Sequence, residues 1–290
     1  MKRKIAIACA TAFLLLGVAC LSYPVVSNAI IHVAQGQVAK EHVEAERAVD
    51  TTELEAMRRQ AYGYNENLLA GKVTVTDPFD PDRITVGEAE YDSTLNVTGD
   101  GVMAVIRAPK IDITLPIYHG VGDKVLEHGV GHLPSTSLPI GGASSHCVLA
   151  GHTGLPSVKI FDEIGRLEEG DYFAIEVLGE EHGYRVDAVE VVLPEDTDSL
   201  AIVPGADKVT LATCTPYGVN SHRLLVHASR CELPDGWDQG GSPALEGTAE
   251  GVSPWPTVAI LFTVAVLVAV TALLLRRRAR NARDVRCPRR

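Results

Sequence analysis

Positive charge is in short supply. The 26 Lys+Arg against 37 Asp+Glu give a formal net charge of -11, which argues against a nucleic-acid binder, normally marked by a basic footprint. Cysteine is scarce as well, with 6 in 290 residues, too few for a disulfide-dense scaffold. P-loop and zinc-ligand spacings are missing, so no cofactor and no metal is expected. His128 and His132 lie four apart, but Gly129 and Gly131 make a helical metal site improbable. Apolar residues are plentiful at 46%, with 22% charged, which excludes wholesale disorder. The length allows one or two domains.

The most informative absence is local. After Lys2, Arg3 and Lys4, no Asp, Glu, Lys or Arg occurs until Lys40. Ile5 to Leu21 is almost wholly apolar, and as a helix it rises about 26 Å, close to the thickness of a hydrocarbon core. The run extends through Val25, Val26, Ile30 and Ile31, with Pro24 as a kink, so 5–31 is read as a retained membrane anchor. A cleaved signal peptide is the alternative, since Ser27 and Ala29 offer a small-x-small site. A lipoprotein at Cys20 is weaker, because Gly17 and Val18 make a poor lipobox. Val258 to Leu275 is a second run without formal charge, ended by Arg276, Arg277, Arg278 and Arg280, a stop-transfer pattern with a basic cytoplasmic flank. The expected topology is two transmembrane helices, 5–31 and 257–275, with the basic ends 1–4 and 276–290 inside and the chain between them outside. Those ends hold eleven basic residues and one acid, Asp284, leaving 15 basic against 36 acidic residues in between. Of the cysteines only Cys147, Cys214 and Cys231 fall outside, so at least one thiol there is free. Cys147 and Cys231 are expected as two buried thiols rather than a disulfide.

Residues 32–71, rich in Ala, Glu, Val and Arg, read as one or two helices. From 72 to 95 the chain carries Pro78, Pro81, Gly87 and several Asp and Thr, which is loop chemistry. From Asn96 the pattern turns to β. Apolar or alternating runs occur over 101–106, 111–117, 145–150, 172–178, 184–193, 209–214 and 223–228, with breaks at 179–183 and 215–220. Lys159 to Leu167 is expected as a short helix. Seven or so short strands over 96–233 predict a mainly β fold, a closed or nearly closed barrel with short helices. The Gly-, Pro- and Ser-rich stretch 234–256 reads as a flexible linker.

Three residues are candidates for chemistry. Cys214 ends an apolar strand and precedes a turn, which exposes a side chain on a rigid support; a free cysteine is more often a small buried hydrophobe. Arg223 lies across that turn on the next strand, where a guanidinium could hold a carbonyl or an oxyanion; a surface ion pair is the plainer role. His152 follows another apolar strand, between Gly151 and Gly154, and a histidine near Cys214 could activate the thiol or protonate a leaving amine.

Together the segments that carry these residues resemble the sortases, most closely the class C, pilin-polymerising branch. The stretch 210–226, TLATCTPYGVNSHRLLV, looks like the sortase nucleophile and arginine strands, and 150–156, AGHTGLP, like the histidine loop. Residues 110–120, KIDITLPIYHG, and 129–139, GVGHLPSTSLP, match early barrel segments of the family. The resemblance runs from about Asp77 to Arg230. It implies a sortase-type β-barrel, Cys214 as nucleophile, His152 as general acid/base and Arg223 as substrate and oxyanion stabiliser. Class C members usually carry Arg after the histidine; here Thr153 stands there, which bears on fine substrate contacts. Asp77-Pro-Phe79 resembles the class C lid motif, with Asp77 set to pair with Arg223 and Phe79 to cover the thiol, so 72–95 is expected to be a lid loop.

The resemblance further implies cleavage of an LPXTG-like signal between Thr and Gly through a thioacyl-enzyme. The acyl group would pass to a lysine amine of a pilin subunit. A sortase that uses a peptidoglycan-precursor amine instead shares the same catalytic residues. A non-catalytic, membrane-tethered β-domain is the reading from a different class. The implied partners are LPXTG-bearing proteins, an acceptor amine and membrane lipid, and no nucleic acid.

Overall fold

The structure is a computed structural model that describes residues 2–71, 75–80, 89–155 and 158–238. The second apolar segment, its basic tail and most of the preceding linker lie outside the described residues. The chain divides into two units, 1–29 with 252–290, and 30–251.

Helix α1, Lys2–Ala48, contains the apolar run and Pro24, and it is long and apolar enough to cross a membrane. Its last turns belong to the larger unit, where Ala39, Val43, His42 and Glu46 are buried. Glu46 accepts the main-chain N–H groups of Leu178 at 2.7 Å and Gly179 at 3.1 Å. A carboxylate thereby satisfies two donors of a tight turn that has no strand partner for them. Asp50 opens the second helix, α2, Thr51–Gly71, by accepting the Thr52 N–H at 2.8 Å, a side-chain cap for an otherwise orphaned donor. Asn65 of α2 docks on the main chain of Leu138, accepting its N–H at 2.8 Å and donating to its carbonyl at 3.5 Å.

Eight strands close a barrel: β1 Val102–Ala108, β2 Ile113–His119, β3 Val130–His132, β4 Ser145–Ala150, β5 Tyr172–Val177, β6 Glu180–Val192, β7 Asp207–Thr215 and β8 His222–Arg230. Their order is β1-β2-β3-β4-β7-β8-β6-β5. The pairs β2/β3 and β4/β7 are parallel and the rest antiparallel. Alternate residues of β4 and β7, such as Cys147, Leu149, Val209 and Leu211, fill the interior. Their neighbours Val148, Ala150 and Ala212 join Leu225 in a second apolar cluster on the outer face. Apolar residues on both parities mean that both faces are covered.

The closed barrel agrees with the sequence expectation; several boundaries do not. The break expected at 179–183 is a two-residue turn, Leu178 and Gly179, both at positive φ, a geometry that matches strand twist. Glu180 to Gly183 therefore belong to β6. The helix expected over 159–167 is only a 3-10 turn at Ile164–Arg166. Ile160, Phe161, Ile164 and Leu167 all enter the core, and that apolar payload fixes the path more strongly than helix propensity does. Strand β3 was not foreseen, being three residues long with Gly129 before it and Gly131 at its centre. Of the lid loop expected over 72–95, residues 72–74 and 81–88 lie outside the described residues. Residues 89–93 form a short helix, α3, and Tyr91 and Leu95 are core residues. Cys147 is a free, buried thiol as expected, whereas Cys231 is free but only partly buried.

Candidate active site

Strand register places two of the three candidate residues side by side and brings the third to the same edge. In the antiparallel β7/β8 pair, Cys214 lies opposite Arg223. In the parallel β4/β7 pair, Ala150 lies opposite Ala212, and the Gly151 N–H continues the ladder to the Ala212 carbonyl at 3.1 Å. That ladder ends at Gly151; His152 follows it, and its ring lies against Phe79, whose ring also lies against the Arg223 guanidinium. Thr213 Oγ1 donates to the Gly151 carbonyl at 2.7 Å and is buried, which pins the start of the histidine loop to the cysteine strand. The Phe161 N–H binds the His152 carbonyl at 3.0 Å, and Asp162 Oδ1 accepts the Gly154 N–H at 3.1 Å.

Residues 75–80 cover this row. Asp77 takes Arg223 in a two-point grip, Nε to Oδ1 at 2.9 Å and Nη2 to Oδ2 at 2.7 Å, a planar match of fork to carboxylate. Its side chain is 8% exposed and that of Arg223 11%, so the pair is shielded from water and from salt. Asp77 Oδ1 also accepts the Phe79 N–H at 3.2 Å, which turns the chain. The Phe79 ring thereby lies 5.2 Å beneath the guanidinium carbon and 6.0 Å from the His152 ring. Phe79 and Val75 pack on the outer apolar cluster. The two expected lid residues thus touch Arg223 and His152, and Cys214 beneath is 9% exposed.

The electrostatics follow from that cover. Burial pushes the Cys214 thiol pKa up and Asp77 adds to the rise, while Arg223 opposes it. Burial pushes His152 down, against Asp123 and Glu127, which favour its cation. Both shifts favour a neutral thiol and a neutral imidazole. Burial also works against the charge of Arg223, but the Asp77 hydrogen bonds outweigh it and hold the guanidinium firmly cationic.

A polar chain on the same face was not foreseen from sequence. His146 Nδ1 meets the Ala201 carbonyl at 3.0 Å, His146 Nε2 meets Thr210 Oγ1 at 2.7 Å, and Thr210 meets His227 Nδ1 at 2.8 Å. His227 Nε2 then meets Glu190 at 3.0 Å. The chain ties β4, β7, β8 and β6 to the loop around Leu200, whose Thr197 donates to the Val75 carbonyl at 3.2 Å. Beside that loop is a cavity of about 390 Å3 lined by Leu68, Val75, Thr136, His146, Asp198 and Ile202, among others. Nothing in the sequence signals this row, because single histidines on separate strands carry no such pattern.

Comparison with known proteins agrees with this geometry. Residues 106–231 match the sortase domain family. Sortase D of Bacillus subtilis is 28% identical over 129 residues, 43% of this chain and 62% of that protein. The chain spans about half the length of the curated relatives it matches. Solved structures are covered more fully. Sortase C1 of GBS pilus island 1 is 37% identical with a TM-score of 0.57, over 66% of this chain and 89% of that one. For sortase C-1 from Actinomyces oris the TM-score is 0.58, over 63% of this chain and 99% of that one. The 45% identity along that whole alignment is more than a shared architecture requires, and the chain belongs to the sortase family, whose members are cysteine transpeptidases.

Proposed function

We propose that this protein is a lid-gated cysteine transpeptidase of class C type that joins protein subunits during pilus assembly. The observation that supports the reading is the pairing of Cys214 with Arg223, with Asp77 on that guanidinium and Phe79 against both it and His152. Sorting-signal cleavage begins when the Cys214 thiol passes its proton to His152 and its sulfur attacks the Thr carbonyl of an LPXTG-like sequence. The carbonyl oxygen takes up negative charge, which Arg223 stabilises once Asp77 has left it. His152 protonates the departing glycine nitrogen as the C–N bond breaks, leaving a thioester on Cys214. A lysine amine then attacks the thioester, His152 accepts the proton, and an amide forms as the thiol is released. The sortase C1 of a pilus island among its relatives favours a protein lysine as acceptor over a wall-precursor amine.

In the closed arrangement Asp77 occupies the guanidinium that the oxyanion needs, and Phe79 takes up space beside the imidazole. The lid therefore has to withdraw before substrate enters. Two membrane helices with the barrel outside suit this work, because the substrates are exported. The long apolar α1 supports the first span, and the basic stop after Leu275 supports the second.

The test incubates the full chain in detergent with an LPXTG peptide, a lysine-bearing peptide and a wall-precursor amine in competition. The expected results are a thioacyl adduct on Cys214 by mass spectrometry and preferential transfer to lysine. An unmodified Cys214, or equal turnover in Cys214→Ala, overturns the enzyme reading; preference for the precursor amine overturns the pilus reading.

A further inference from the structure

Strand β6 is paired on both sides for only half its length. Strand β5 accompanies it from Glu180 to Arg185, and Gly170 and Asp171 bind the main chain of Val186. A register shift follows between Val186 and Ala188, the kind of bulge that ends pairing. From Asp187 to Val192, β8 is the only neighbour among the described residues. Along this stretch Val189, Val191 and Leu193 stand 38%, 57% and 49% exposed, a stripe at the two-residue spacing of one sheet face. Natural edges are blunted by charge, proline or a covering segment. The two acids of this stretch, Asp187 and Glu190, are engaged by Lys208, Ser229 and His227, which leaves main-chain groups without a second strand partner among the described residues beside exposed aliphatic side chains, the usual composition of a site for strand addition.

Its position is equally pointed. Val192 lies opposite Arg223, which lies opposite Cys214, so the open edge is the next free column beside the row of candidate catalytic residues. Glu195, Asp196 and Asp198, all exposed, follow directly after the strand. We infer that the free edge of β6 docks an extended, lysine-bearing segment of the acceptor protein as an added strand. The identity of that partner rests on the acyl-transfer reading above. Charge favours it over a second copy of this chain. The region between the basic ends carries 15 basic against 36 acidic residues, so two copies repel, whereas lysines meet the three acids. Apolar residues of the segment cover Val189 and Val191, and its backbone takes up the unused groups of β6.

The test uses the full chain in detergent and a fluorescent peptide of alternating Val and Thr with lysines at one end. A control peptide is N-methylated at alternate residues, which blocks strand pairing without changing side chains. The variant is Val189→Glu with Val191→Glu, both surface positions, and its undiminished cleavage of a short LPXTG peptide reports correct folding. Binding of the unmethylated peptide is expected to weaken about tenfold in the variant and about tenfold on N-methylation. Glu195→Lys with Asp198→Lys gives a smaller loss that disappears at high salt. Equal affinities for parent and variant, or for the two peptides, overturn the inference. So does a parent dimer that the variant dissolves, since the edge then belongs to a second copy. Binding is read without turnover, so failure of the acyl-transfer reading shows separately, as an unmodified Cys214.

Discussion

The rim of the barrel and the segment that covers it are built on opposite principles. Cys214 and Arg223 sit on strands paired over eight consecutive positions, from Lys208 with Ser229 to Thr215 with His222. His152 is tied in by Thr213, Phe161 and the ladder to Ala212. The contacts of residues 75–80 with the barrel include the Asp77–Arg223 ion pair, the Phe79 ring and the Thr197 bond to Val75, with Val75 and Phe79 packed on the outer apolar cluster. The rim is held by many cooperative main-chain bonds, whereas these contacts of the cover rest on side chains. A catalytic row must keep its spacing within fractions of an ångström through each cycle, and a cover must come off. Local stability is distributed accordingly.

The sharpest way to break the contrast is at the rim. Cys214→Ala removes the only nucleophile in the row, and sorting-peptide cleavage should fall to the uncatalysed background. Arg223→Lys keeps the charge but loses the planar fork, and kcat should drop about 10²-fold, as when an oxyanion donor is lost. The same change should loosen the lid, because Lys cannot take both oxygens of Asp77. Steady-state cleavage and the alkylation rate of Cys214 measure the two effects separately.

Thr213→Val sharpens the comparison without touching substrate. It removes the bond to the Gly151 carbonyl and leaves a buried acceptor unsatisfied. With the histidine loop less well held, kcat should fall about tenfold with little change in KM. Thr213→Ser, which restores the hydroxyl, should recover most of the rate. A purely structural role would lower thermal stability in both variants and leave kcat per folded molecule alone.

At the lid, Asp77→Ala or Phe79→Ala should speed alkylation of Cys214 by about fivefold to tenfold at neutral pH. The pH profile gives a second readout. Burial, with Asp77 adding, raises the thiol pKa, while Arg223 lowers it. Removing Asp77 leaves Arg223 to act alone on a better solvated sulfur, so the alkylation midpoint should move to lower pH. An unmoved midpoint would mean that residues 75–80 do not shield the thiol.

How much of this was legible in the sequence follows the same division. The alternation of 209–214 and 223–228, with a turn between them, was enough to place Cys214 near Arg223, because antiparallel register is local. His152 could be joined to them only by resemblance, since its approach depends on a parallel pairing between β4 and β7, far apart in sequence. The Asp-Pro-Phe triplet singled out Asp77 and Phe79, which lie on Arg223 and against His152, but gave no bounds for the segment that carries them. Tyr91 and Leu95 look like loop residues until the barrel supplies the core they fill. The row of His146, Thr210, His227 and Glu190 was invisible for the same reason: it draws one residue from each of four strands. Chemistry held within a hairpin can be read from a chain alone, whereas chemistry assembled across a barrel needs the register.

The smallest effect separates the wall from the rim by acid. His132 and His146 are both pushed down to about 4, by burial first, while an unfolded histidine titrates near its usual value of about 6.5. Between those two values the unfolded chain binds more protons than the folded one, so stability falls as pH drops from about 6.5 toward 4 and is unaffected by these groups above that window. Melting temperature should therefore fall by several degrees over this range. His132 is enclosed by Tyr91 and the Ser137 carbonyl, whereas His146 props the Ala201 carbonyl of the wall that supports Val75. Protonation of His146 makes Nε2 a donor toward Thr210, which sets the wall against the strand it leans on. His146→Gln should thus flatten the acid dependence of Cys214 alkylation, and His132→Gln should flatten only that of melting. If both variants change melting alone, the wall does not steady the segment that covers Cys214.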